Sequence, residues 1–341
     1  MSKSETHRLH AGRRVAVVTP VLDDWRCFQS LVAAIDALAH RIGRVSVFAV
    51  DDGSAEPVDP DELVPVSRHL EQVAVIHLAC NLGHQRAIAV GLAQVAAQGG
   101  FDMVIVADSD GEDQPEEFLS LIAQHDRQPG AVIVAQRHKR SEGYVFRRCY
   151  STYKGLFRLL TGKVIDFGNF CLIPAGQLDR LLHMAELWNH LAATIVRSRV
   201  AIVKVPTVRG VRYAGRSRMN LVSLVTHGLS AISVFSDFLF VRLLLFCGIA
   251  AVGAGALGAA ALVIRMSTDL AVPGWATTVT GIAAVILFQA ITLLGVATFM
   301  MLSNRSSAPV VPARQALHYV RKTVVIETPC QTAPLPIAAR N

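Results

Sequence analysis

Short apolar runs alternate with helical patterns through the first half of the chain. Val15–Thr19, Val45–Val50, Val73–Leu78, Met103–Ala107 and Ala131–Ala135 are short, β-branched and bounded by Gly, Pro or Asp, which predicts buried strands. Between them, Trp25–His40, Gln85–Ala97 and Glu116–Gln124 repeat their apolar positions with helical periodicity. Strand alternating with helix predicts a mostly parallel sheet covered on both faces. Sheets of this kind bind ligands beyond the carboxyl ends of their strands.

The second half changes character. Met219–Ser236 carries Leu221, Leu224, Val225, Leu229, Ile232 and Phe235 on one stripe, with Ser, Thr and His opposite. This predicts an amphipathic helix lying in a membrane interface, with an ordinary core helix as the alternative. Leu243–Ile264 is apolar without a charge, and Thr277–Leu302 is apolar except for Gln289. Each reaches the roughly 20 residues needed to cross a bilayer. Ala251, Gly255 and Ala259 put small residues on one face of the first span, where a second helix can pack closely. Lys and Arg are plentiful before the first span and after the second (Arg305, Arg314, Arg321, Lys322), and the connection holds one, Arg265. The positive-inside rule then predicts both termini in the cytosol. The expected layout is a cytosolic domain over residues 1–218, the interfacial helix over 219–236, a two-helix transmembrane hairpin over 237–303 and a cytosolic tail over 304–341. Beyond Pro309 the tail is interrupted by prolines and predicts no element.

Composition agrees with this division. A hydrophobic fraction of 52% and a mean hydropathy of +0.40 exceed what a purely soluble chain of 341 residues needs, and the excess sits between Leu243 and Leu302. The net charge of +7 suits anionic lipids or phosphates. Nucleic acid is the weaker choice, because no zinc-finger, basic-zipper or aromatic-basic signature is present. Six scattered cysteines form no C-x-x-C pair, which predicts free thiols in a reducing compartment. Met1–Arg14 is polar and basic without an apolar core, so it is not a secretory signal.

Candidate chemistry lies at the predicted strand ends. Asp51, Asp52, Gly53 and Ser54 follow one strand. A strand-end carboxylate can bind a base or ribose, although Asp-Gly is also ordinary turn chemistry. Asp108, Ser109 and Asp110 follow another strand and continue as Gly111, Glu112, Asp113, Gln114, Pro115 and Glu116. Carboxylates gathered this closely repel unless something positive neutralises them. With oxygen ligands alone, the cation expected is Mg2+ or Mn2+, which would bridge donor phosphates. The plainer reading is a solvated acidic loop before a helix.

D-D-G-S, then N-L-G-H-Q-R-A (Asn81–Ala87), then D-S-D-G-E-D-Q-P-E (Asp108–Glu116) resembles the family-two glycosyltransferases of GT-A fold. Within them the chain looks like the polyprenyl-phosphate glycosyltransferases: dolichol-phosphate mannose synthases and bacterial undecaprenyl-phosphate glucosyl and 4-amino-arabinosyl transferases. The resemblance runs from about Val15 to the second span. It implies a Rossmann-like GT-A domain in the α/β class, at the bacterial inner membrane, with a nucleotide-sugar donor, a polyprenyl phosphate acceptor and a homo-oligomeric, tetrameric assembly. It implies nucleotide-sugar contacts at Pro20, Asp24, Asp51, Asp52, Asn81 and Asp108, and metal binding at Asp108, Asp110 and Glu112. Catalytic roles fall on Asp110, Arg137 and Arg212, and lipid-phosphate binding on Arg137, Arg147, Ser151, Ser217 and Arg218. Departures from the pattern are Asp24 for a usual Glu, Leu22 for a common Tyr, Glu112 for a frequent Gln, and Asn169 where an Asp is frequent.

A phosphate acceptor is already anionic, with a second pKa of about 6. The expected reaction is therefore direct displacement with inversion, with no essential base. Three alternatives stand beside it. A polymerising synthase would carry Q-x-x-R-W and more spans, neither of which is present. A non-catalytic membrane scaffold would not need intact acidic motifs. An enzyme acting on a glycolipid hydroxyl would need a base, for which Asp166 is available.

Overall fold

The computed structural model describes residues 12–56, 68–137, 154–214, 221–267, 274–306 and 308–326. The five predicted strands are β1 (Arg14–Val21), β2 (Arg44–Asp51), β3 (Gln72–Leu78), β4 (Met103–Val106) and β5 (Val132–Arg137). The three predicted helices are α1 (Trp25–Ile42), α2 (His84–Gln98) and α3 (Glu116–Arg127). Later elements are a helix α4 over 154–161, β6 (Cys171–Pro174), α5 (Ala175–Leu182), α6 (Leu191–Arg197), β7 (Ile202–Thr207), α7 (Leu221–Ser233), α8 (Ser236–Ser267), α9 (Trp275–Ser306) and β8 (Val320–Ile326).

The strands form one sheet in the order β7-β5-β6-β4-β1-β2-β3-β8. β1 pairs in parallel with β2 and β4, β2 with β3, and β5 with β7. β6 runs antiparallel between β4 and β5. The central strands read as unbroken apolar runs because both faces are covered. Along β1, Ala16 and Val18 face the core under α2, α5 and α6, whereas Val15 and Val17 face the core under α1 and α3. α2 lies directly on the sheet: a Cβ added at Gly91 would sit 2.5 Å from Val18 Cγ1 and 2.8 Å from Val50 Cγ2.

The chain divides into two compact units, and the division corrects the expected tail. Val310–Ile326 belong with the sheet, because β8 pairs antiparallel with β3 from Val73↔Ile326 to Leu78↔Val320. β8 covers the backbone edge that β3 would otherwise expose. Pro312 starts a short turn of helix and Ala316 is fully buried, so the prolines punctuate structure and do not prevent it.

The second unit contains α4, α8 and α9. Arg242 donates to the carbonyls of Arg158 and Leu159 at the end of α4, and Phe157 meets Phe235 edge-on. α8 and α9 are 32 residues each, with mean hydropathy 2.1 and 2.3 over their most apolar stretches, and most of their large side chains are exposed. The small-residue face also differs from expectation. Gly255 and Ala259 are exposed, and the buried positions are Cys247, Ala254 and Ala261 on α8 and Ala283, Ala290 and Ala297 on α9. Each set repeats every seven residues, the spacing of a close antiparallel seam.

α7 starts two residues after the predicted amphipathic segment begins and ends three residues before it does. Its stripe is split. Ile232 packs into the protein, while Val225 and Leu229 stay exposed.

Candidate active site

β1, β2 and β4 are neighbours running in one direction, so their carboxyl ends share an edge. The loops leaving β1 and β2 are tied together. Asp23 sits at φ +48°, donates its N–H to Ser54 Oγ at 2.8 Å and accepts from Ala55 N at 2.6 Å. Trp25 Nε1 donates to the Glu56 carbonyl at 2.9 Å.

The carboxylates after β2 build loops. Asp51 accepts from Ser54 N at 2.9 Å and pairs with His77 Nδ1 at 2.7 Å. Asp52 accepts from Leu82 N at 2.7 Å and from Gly83 N at 2.9 Å, which shapes the turn into α2. Both are buried, and burial holds the Asp52 carboxyl above its ordinary value. A buried carboxylate must find donors, and here the backbone and His77 supply them. Pro20 is likewise buried within β1, opposite Val50. Asn81, in the turn fixed by Asp52, is exposed at the edge.

The acidic loop after β4 is enclosed by basic side chains. Asp113, 1% exposed, accepts from Asp108 N at 3.0 Å and from Arg137 Nη2 at 2.6 Å. Asp110 accepts from Glu112 N at 3.0 Å and from Arg212 Nη1 at 3.0 Å. Arg212 also donates to Asp24 and to the Ala214 carbonyl. Glu112 receives Arg209 at 2.6 Å and Arg137 at 3.4 Å. The segment carrying Arg209 and Arg212 is laced to the loop by Gly210 N to Glu112 O and Tyr213 N to Asp110 O, both 2.9 Å. Gly111, at φ +90°, leaves room for the Tyr213 ring, which an added Cβ would meet at 2.7 Å.

Three arginines on a four-carboxylate loop do not cancel its self-repulsion. Burial, then the neighbouring Asp110, pushes Asp108 up to about 6, and burial, then Asp108, does the same for Asp113. Asp108 Oδ1 is buried and makes no hydrogen bond.

Among the described residues no group of three or more His, Cys, Asp or Glu side chains could hold a metal ion by itself. Of the three expected ligands, Glu112 accepts from Arg137 and Arg209 and Asp110 from Arg212, while Asp108 Oδ1 is unsatisfied. Mg2+ is typically held by one or two carboxylates plus substrate phosphates. Asp108 and Asp110 fit a hard divalent cation.

Other expected positions resolve differently. Asp166 accepts from Gln136 Nε2 at 2.7 Å and from Lys204 Nζ at 2.8 Å. Asn169 bonds Gln85 and His84. Arg147, Ser151, Ser217 and Arg218 lie outside the described residues. Sequence reasoning passed over Asp113 and Arg209. The signal for Asp113 was its place as the last acid of the D-x-D-x-E-D run; that for Arg209 was its three-residue spacing from Arg212.

A parallel-centred sheet with an acidic loop at its ligand edge is the GT-A arrangement of a glycosyltransferase. The fold is similar to glucosyl-3-phosphoglycerate synthase from Mycobacterium tuberculosis, solved with Mn2+, UDP-glucose and phosphoglyceric acid (TM-score 0.51, 17% identity, covering 70% of this chain and 84% of that one). Another structure of that synthase matches at TM-score 0.50 and 15% identity, over 70% and 85%. Residues 16–180 match the model of glycosyl transferase family 2. A curated relative, undecaprenyl-phosphate 4-deoxy-4-formamido-L-arabinose transferase of Klebsiella pneumoniae, is 26% identical over 275 residues, 77% of this chain and 79% of the relative.

Proposed function

We propose that this glycosyltransferase moves a sugar from a nucleotide sugar, a UDP-sugar, to a polyprenyl phosphate at the cytosolic membrane face, with inversion at the anomeric carbon. The observation that carries the reading is the acidic loop 108–113 held against Arg137, Arg209 and Arg212 at the sheet's ligand edge. The acceptor is supported by the curated relative, whose name specifies undecaprenyl phosphate. The membrane setting is supported by the two long apolar helices and by the exposed Val225 and Leu229 of α7. Two crossings return a chain to the side it left, which suits a strand after the hairpin pairing with one before it.

Bound there, a Mg2+ or Mn2+ ion on Asp108 and Asp110 would neutralise the charge of the departing nucleoside diphosphate. The acceptor phosphate needs no deprotonation at neutral pH. One of its oxygens bonds to the anomeric carbon as the bond from that carbon to the donor diphosphate breaks, and the electron pair leaves with the diphosphate. Arg137 and Arg212 each have five N–H donors, more than their carboxylate partners use, and direct the rest to phosphate oxygens. Arg147, Ser151, Ser217 and Arg218 hold the lipid phosphate in the same scheme, by the resemblance noted above. Asn81 contacts the nucleotide from its exposed turn.

The test is transfer of radiolabelled sugar from a panel of UDP- and GDP-sugars to undecaprenyl phosphate, in detergent with Mg2+ or Mn2+, with Asp110→Asn as control. A lipid product lost in the variant is expected. No product from any donor, despite measurable nucleotide binding, overturns the lipid-phosphate acceptor.

A further inference from the structure

Three side chains beside the acidic loop form a hydrogen-bond chain whose direction is fixed by its first member. The Leu191 backbone N–H can only donate, and it bonds Gln85 Oε1 at 2.7 Å. Gln85 therefore turns its Nε2 to Asn169 Oδ1 at 3.0 Å. Asn169 then presents its own amide nitrogen, a donor, to His84 Nε2 at 3.0 Å. A ring nitrogen that accepts a hydrogen bond carries no proton, so the neutral imidazole of His84 is protonated at Nδ1. Gln85 and Leu191 are buried, which protects the order from exchange with water.

Asn169 sets this sense. A carboxylate at that position would accept, and would require a proton at His84 Nε2. His84 Nε2 also lies 3.5 Å from Asp108 Oδ1, the buried oxygen without a hydrogen bond. Two acceptor atoms thus face one another where the acidic loop begins. The imidazole stands at the first position of α2, with 43% of its side chain exposed.

We propose that His84 is a further substrate-contacting residue, a neutral imidazole whose Nδ1–H, set by Gln85 and Asn169, donates to an oxygen of the nucleotide sugar bound beside Asp108. The proposal rests on the nucleotide-sugar reading above. A ring N–H recognises an oxygen acceptor, and the donor substrate offers two kinds, in its diphosphate and in its sugar hydroxyls.

The full-length protein in detergent with Mn2+ is titrated with UDP and with UDP-glucose, for the wild type, His84→Asn and His84→Gln. Asn carries its NH2 where imidazole has Nδ1, and Gln where imidazole has Nε2. His84→Asn is expected to bind within about threefold of wild type, and His84→Gln to lose about tenfold or more. Loss with both probes assigns the contact to the diphosphate, and loss with UDP-glucose alone assigns it to the sugar. A 15N–1H correlation of the histidine rings, with His84→Asn to identify the signal, is expected to show the proton at Nδ1, and Asn169→Asp to protonate Nε2. A wild-type proton at Nε2, or His84→Gln binding as tightly as wild type, overturns the proposal while leaving the nucleotide-sugar reading intact. Wild-type protein that binds neither probe, nor GDP or GDP-mannose, overturns that reading and the contact with it; a ring proton still found at Nδ1 marks this as a failure of the substrate, not of the tautomer.

Discussion

Asp113 and Asp108 occupy one loop but answer to different partners. Asp113 accepts Arg137 and the Asp108 backbone N–H while almost wholly enclosed. Asp113→Ala strips the loop of both contacts and leaves Arg137 with the long contact to Glu112 as its carboxylate hydrogen bond. A loss of about 2–4 kcal/mol is expected, read from denaturant unfolding of the detergent-solubilised protein. Asp108 and Asp113 are both pushed up to about 6 from the ordinary 3.8. Their contribution to stability is therefore fullest below about pH 3.8 and is lost as pH rises through about 6, where they ionise against each other. A divalent cation needs Asp108 ionised, so Mn2+ affinity is expected to rise between pH 5 and 7 with an apparent midpoint of about 6 that belongs to the coupled Asp108–Asp113 pair. Calorimetric titration across that range checks it; a flat profile would remove the cation from this loop.

Elements were legible where period and length agreed. The five strands and three helices of the first half could be read because β-branched runs bounded by Gly, Pro and Asp have few other uses. β6 is four residues long and β7 alternates weakly, so neither declares itself locally; both form because β4 and β5 offer them an edge. The seam residues of α8 were misread because small residues are abundant there, and only the partner helix selects which of them face inward. A position that sequence does not distinguish at all is Gly91, an ordinary glycine in an apolar helix until its distance to Val18 and Val50 is known. Gly91→Ala is expected to cost about 1–3 kcal/mol through overpacking, despite alanine's better helix propensity, which a lowered thermal midpoint would show. Of the candidate site, the acidic loop was readable from its motif. The engagement of Asp51 and Asp52 was not, because their partners, His77 and the backbone at Leu82 and Gly83, are set by how the turns close.

At the scale of the whole molecule, the sheet draws on residues from both ends of the described chain. Truncation after Pro309 removes β8 and uncovers the edge of β3. The shortened protein is expected to aggregate and to lose thermal stability, checked by size-exclusion chromatography and scanning fluorimetry. β8 also has a consequence for how such a chain is made. Synthesis proceeds from the amino terminus, so β1 to β7 leave the ribosome before the apolar hairpin, and β8 leaves after it. The β3 edge stays open for that interval, and its last partner arrives only once both long helices have been translated. Completion of the sheet thus waits on translation of both long apolar helices, and a chain stalled or cleaved within the hairpin is left with an exposed strand edge.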